Sequence, residues 1–84
     1  MRVTYSSILP KVKSTTYTVL PDGRTTICQL TMNNGFTIEG SSVYSDPSEY
    51  DRDISEDVAH DDAMRNAWKF ETYLRAQRIH KETI

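Results

Sequence analysis

Arg65, Arg75 and Arg78 are the side chains of this 84-residue chain with the most evident chemical use. A guanidinium presents its N–H donors in a planar fork that matches a phosphate. Arg75 and Arg78 stand three apart, so on a helix they share a face and reach two phosphates. Tyr44, Tyr50 and Tyr73 offer flat faces of the kind on which bases stack, and Asn66 or Thr72 offers polar groups for a base edge. These eight residues form the candidate binding set, and its ligand would be a small anion of nucleotide type. The plainer alternatives are solvated charge for each arginine and core or rim packing for each tyrosine.

Other chemistry has less support. Ser41, Ser42 and the lone Cys28 have no histidine at a recognisable spacing, so no catalytic residue is assigned and the expectation is a non-enzyme. His60 and His80 read as structural or solvent-facing. Asp57 and Asp61 share a helical face with His60 nearby, but an acidic face without a dedicated loop is a poor cation cage, so neither metal nor cofactor is expected. One cysteine excludes an intramolecular disulfide and a zinc site built on several thiolates. A formal net charge of -2 argues against broad nucleic-acid binding. No apolar run approaches the roughly 20 residues that span a bilayer, and the N-terminus lacks a signal-peptide layout. The expectation is a soluble cytosolic protein without membrane or direct nucleic-acid contact.

The elements that must position these residues are an antiparallel meander and a helical half. Asn33-Asn34-Gly35 suits a three-residue turn with Gly35 left-handed, setting Met32 opposite Phe36, Leu30 opposite Ile38 and Cys28 opposite Gly40. One face then carries Cys28, Leu30, Met32, Phe36 and Ile38. Pro21-Asp22-Gly23 reads as a second three-residue turn, which sets Tyr17 opposite Ile27 with Val19 beside them on the other face. Strands are expected at about 15–20, 24–32 and 36–43. Thr4 is placed to cap a single helical turn ending before Pro10.

Asp46-Pro47-Ser48-Glu49 has the cap, proline and acid of a helix start, and helical structure is expected over about 47–80. Ala59, Ala63, Ala67, Phe70 and Leu74 form its buried stripe, with Val58, Met64 and Trp68 flanking. Three alanines on the stripe permit close approach to the sheet or to a second helix. Whether the helix bends at Trp68 is left open. Acids concentrate early in this half and bases late, which complements the helix dipole. The fold class is therefore α+β in a single domain.

A chain this short buries a thin core, so a homo-oligomer is expected, with Tyr17, Val19 and Ile27 as its interface. Convergence of groups from two subunits would then complete the ligand pocket.

Thr26-Ile27-Cys28, Asn34-Gly35-Phe36-Thr37, Gly40, Ser42, Asp46-Pro47 and Tyr50-Asp51, followed by Ala59, Ala63, Arg65, Trp68, Glu71 and Tyr73, resemble a small phage-protein family named for members in bacteriophages N4 and Sf6. The resemblance covers roughly residues 15 to 75. Tyr44 stands where the family tends to have a cysteine, and Lys69 where a proline often follows the tryptophan. The resemblance implies a small accessory protein acting in the cytoplasm of an infected bacterial host, and it brings no catalytic motif. The layout is also similar to phage counter-defence proteins that sequester cyclic nucleotide signals, including the first type of Thoeris anti-defence protein. That likeness implies a protein that binds and sequesters a cyclic oligonucleotide or a cyclic ADP-ribose type of messenger. The competing expectation is an acidic interaction module, whose helix start imitates phosphates and inhibits a host nucleic-acid-binding defence enzyme. A structural oligomer without ligand is the third.

Overall fold

Thr4 caps the first element: its hydroxyl accepts from Ser7 N at 3.2 Å while Ser7 Oγ accepts from Thr4 N at 3.0 Å. The computed structural model describes residues 2–83. Helix α1, Tyr5–Ile8, is one turn long, and a 3-10 turn at Leu9–Lys11 carries the chain through Pro10 into strand β1, Val12–Val19. Strand β1 starts before the expected Thr15 because the chain continues extended across a bulge between Val12 and Ser14. Strands β2, Thr25–Met32, and β3, Thr37–Val43, complete an antiparallel sheet of order β1-β2-β3.

The second hairpin forms as its turn residues require. Gly35 has φ 88, Met32 N donates to Phe36 O at 2.8 Å, and Leu30 pairs with Ile38 and Cys28 with Gly40. The first hairpin differs from expectation by one residue. The Asp22 carboxylate accepts from both Arg24 N and Thr25 N at 3.0 Å, and from Thr25 Oγ1 at 2.7 Å. Arg24 N–H is therefore drawn into the loop, and pairing begins at Leu20 with Thr25. A one-residue slip turns every side chain to the other face. Tyr17 pairs with Cys28 and Val19 with Thr26, which puts both on the helix side, while Ile27 pairs with Thr18 on the open side. The expected patch of Tyr17, Val19 and Ile27 is accordingly not formed on one face. Partial burial on that side, with Cys28, Glu56 and Asp57 nearby, raises the Tyr17 pKa.

The Asp22 network holds its carboxyl below the ordinary value of 3.8, chiefly through the Thr25 hydroxyl and the Arg24 amide. A lowered native pKa contributes stability that is complete above the ordinary value and is lost as pH falls through the native one. Asp22→Ala should therefore lose stability at neutral pH and show a shallower acid decline than wild type. Urea midpoints measured from pH 7 down to pH 2 check this.

Asp46 caps only a 3-10 turn, Pro47–Glu49, accepting from Ser48 N at 3.0 Å. Tyr50 is extended (ψ 127), and the helix restarts with the Asp51 carboxylate accepting from Ile54 N at 3.1 Å. The expected start at 47 is thus corrected to helix α2, Arg52–Thr83, which is continuous through Trp68. Thirty-two residues make a helix of roughly 48 Å. Strands of seven or eight residues reach only about 27 Å. Ala59, Ala63 and Ala67 are accordingly fully buried on the sheet, whereas Phe70 and Leu74, on the same stripe, overhang its end and are about half exposed. The core is Ile8, Cys28, Leu30, Met32, Ile38, Met64 and the three alanines.

Candidate functional site

Arg65, Trp68, Thr72 and Arg75 follow one another at steps of three, four and three, a second stripe on α2 that faces away from the sheet. The N-terminal segment lies across this stripe. Ile8 is fully buried in the core with Met64, and Trp68 Nε1 donates to Val3 O at 3.1 Å. Arg2, Val3, Thr4 and Tyr5 then close a cavity of about 570 Å³ against Arg65, Trp68, Thr72 and Arg75.

The electrostatics of this cavity are one-sided. Three guanidiniums line it, and the ion pairs found among the described residues, Lys11 with Glu71 and Arg52 with Glu56, involve none of them. Thr72 Oγ1 is buried without a hydrogen-bond partner. A buried hydroxyl with no partner costs about 1–3 kcal/mol, a cost that a bound acceptor removes. Trp68 and Tyr5 add aromatic surface at the wall. The arrangement suits an anion with a flat group attached.

Three of the eight expected site residues, Arg65, Thr72 and Arg75, are brought together here. The other five are elsewhere. Asn66 Nδ2 donates to Glu39 O at 2.8 Å on the sheet flank of the helix. Tyr73 accepts from Gln77 Nε2 at 3.1 Å and lines a different groove, of about 440 Å³, with Phe36, Phe70 and Leu74. Arg78 is exposed and lines neither cavity. Tyr44 and Tyr50 pack on each other with ring centroids 5.7 Å apart, and Tyr44 OH donates to Asp51 O at 3.4 Å. That pair sits at the start of α2, whose first residue is about 20 Å along the axis from Arg65. Arg2, Tyr5 and Trp68 are members that residue types alone did not reveal. The 3-4-3 spacing from Arg65 to Arg75 includes Trp68, but nothing local to Arg2 and Tyr5 announces where the N-terminal segment docks.

The remaining candidate chemistry is muted by packing. Burial pushes the Cys28 thiol pKa up, with Glu56 adding to this and a Tyr17 hydrogen bond opposing it, so the thiolate is disfavoured. Among the described residues, no group of three or more His, Cys, Asp or Glu side chains converges as metal ligands. No helix among the described residues is long and apolar enough to cross a membrane.

No curated protein and no solved structure matches the chain. A family model matches residues 3–79, nearly the whole chain and all the cavity-lining side chains except Arg2, and on that match the protein belongs to the Phage protein (N4 Gp49/phage Sf6 gene 66) family.

Proposed function

We propose that this phage protein is a non-enzymatic binder of a small anionic ligand of nucleotide type, held between its N-terminal segment and α2, and that it serves counter-defence by sequestering a nucleotide-derived second messenger. The observation that carries the reading is the convergence of Arg2, Arg65 and Arg75, without carboxylate partners among the described residues, around the Thr72 hydroxyl, which finds no partner among them. Guanidiniums take phosphate oxygens, Thr72 donates to one more, and Trp68 and Tyr5 face the base. The acidic run at the start of α2 supports phosphate mimicry less well, because Asp46, Asp51 and Asp62 are spent on capping the chain's own amides.

The test is a thermal-shift screen against cyclic di- and trinucleotides and cyclic ADP-ribose isomers. A ligand that binds only the folded state raises the melting temperature by mass action. One ligand class should stabilise the wild type, and Arg75→Ala should weaken its binding by roughly 10- to 100-fold, the worth of one charge-assisted hydrogen bond. An unliganded Arg75→Ala protein should melt as wild type does. Absence of any shift across the panel, or retained affinity in Arg75→Ala, would reject this site.

A further inference from the structure

An antiparallel sheet of order β1-β2-β3 has two edges, and this chain treats them differently. Backbone groups of alternate residues point toward and away from the neighbouring strand. On β3 the outward groups are those of Thr37, Glu39, Ser41 and Val43, since Arg24 O takes Tyr44 N and Met32 N goes to Phe36 O. Helix α2 covers two of them: Asp62 Oδ2 accepts from Ser41 N at 2.9 Å and Asn66 Nδ2 donates to Glu39 O at 2.8 Å. Side chains laid along an edge stop another strand from adding to it.

Strand β1 has no such cover. Because Leu20 N bonds Thr25 O, the inward groups belong to Thr18, Thr16 and Ser14, and the outward ones to Thr15, Tyr17 and Val19. Among the described residues, no hydrogen bond reaches those outward groups. The same three residues carry side chains on the helix face, where α2 packs over β3 and β2 and leaves Tyr17 and Val19 38% and 49% exposed. An open edge and an uncovered apolar margin therefore coincide on one strand.

We infer that β1 pairs with β1 of a second copy about a two-fold axis through Tyr17, joining two sheets into one of six strands. This goes beyond ligand binding and does not depend on it. The occupant is a second copy because the strand is complementary to itself. With Tyr17 opposite the partner's Tyr17, Thr15 falls opposite the partner's Val19, and all three outward residues exchange bonds, on the order of six in total. The segment Ser14-Thr15-Thr16-Tyr17-Thr18-Val19 holds no charge and no proline, so self-pairing sets no like charges opposite one another. Lys13 lies outside it, opposite the partner's Pro21, where the bulge already ends regular pairing. The two-fold also runs the two α2 helices antiparallel. A symmetric, isologous contact of this kind is the commonest route to a homodimer.

Proline separates the two sides of β1. At Tyr17 it removes an outward N–H and leaves the β1-β2 ladder whole; at Thr18 it removes an inward one. Light scattering of the wild type should give twice the protomer mass, and Tyr17→Pro should give one protomer mass with an unchanged circular dichroism spectrum. Thr18→Pro should lose structure. Hydrogen exchange on the wild type supplies a readout that does not depend on any variant folding: the Thr15, Tyr17 and Val19 amides should be protected as strongly as those of Thr16 and Thr18. A protomer mass for the wild type, a Tyr17→Pro protein that remains dimeric, or fast exchange at the three outward amides would each overturn the proposal.

Discussion

Gly40→Val should unfold the domain, and Gly40→Ala should cost about 3 kcal/mol, the upper range for over-packing a core. Gly40 lies in the middle of β3 with α2 directly above it. A Cβ there would sit 2.5 Å from Ala59 O and closer still to Ala63 N, both backbone atoms with no rotamer to give way. Its φ is not positive, unlike those of Gly23 and Gly35, so contact and not backbone freedom explains the glycine. Gly40, Ala59 and Ala63 together let the helix backbone lie on the strand, and a single methyl lifts it off. At about 4–8 °C per kcal/mol for a domain of this size, alanine should lower the melting temperature by about 12–24 °C. Thermal unfolding followed by circular dichroism checks this. Loss of only a few degrees would mean that α2 shifts on the sheet at little cost.

The same contact explains which parts of the fold are legible in the sequence. The alanine stripe announces a close seam, which the structure places against Gly40 of the sheet, and Asn33-Asn34-Gly35 fixes its hairpin because the turn is built from its own three residues. Pro21-Asp22-Gly23 does not, because the Asp22 side chain recruits the next amide and lengthens the loop by one. Those hydrogen bonds move Tyr17 and Val19 from the open face to the helix face. The start of α2 differs from the expected one for a related reason. Asp46 and Asp51 are both competent caps, and the extended Tyr50, packed against Tyr44, gives the long helix to the second.

Legibility of the candidate site divides the same way. Arg65, Thr72 and Arg75 share a face that the 3.6-residue period exposes, and all three line the cavity. Arg78 also follows that period from Arg75, but its place is beyond the reach of the N-terminal segment. Tyr44, Tyr50 and Asn66 resemble ligand contacts by type and serve packing or edge protection instead. Docking of Ile8 beside Met64 supplies Arg2 and Tyr5, a tertiary event with no local signature. The cavity therefore depends on the position of α2 along the sheet.

That position should be set by one buried hydrogen bond. Ala59, Ala63 and Ala67 repeat at intervals of four, so sliding α2 by one turn, about 5.4 Å, puts an alanine back at two of the three positions and Ser55 or Glu71 at the third. Burial of Glu71 disfavours one slip, but packing alone discriminates weakly against the one that brings Ser55 under the sheet. Ser55 Oγ donates to Thr26 Oγ1 at 2.6 Å, and both residues are fully buried. A slip of one turn would bring Ala59 or Asp51 to Thr26 and leave a hydroxyl without a partner or bury a charge. Thr26→Val and Ser55→Ala should each cost about 2 kcal/mol, because each orphans the remaining hydroxyl. The double variant, which removes both groups and nearly conserves volume, should be within about 1 kcal/mol of wild type, so the cycle is strongly non-additive. Urea unfolding of the four proteins measures the cycle, and additive losses would mean that each hydroxyl has a partner besides the other. Recovered stability in the double variant should come without recovered specificity: amide resonances around Gly40 and Ala63 should split or broaden as registers exchange. The Arg65 and Arg75 side chains would then be offset from Arg2 by one turn in part of the population, and anion affinity should fall although no residue of the cavity has changed.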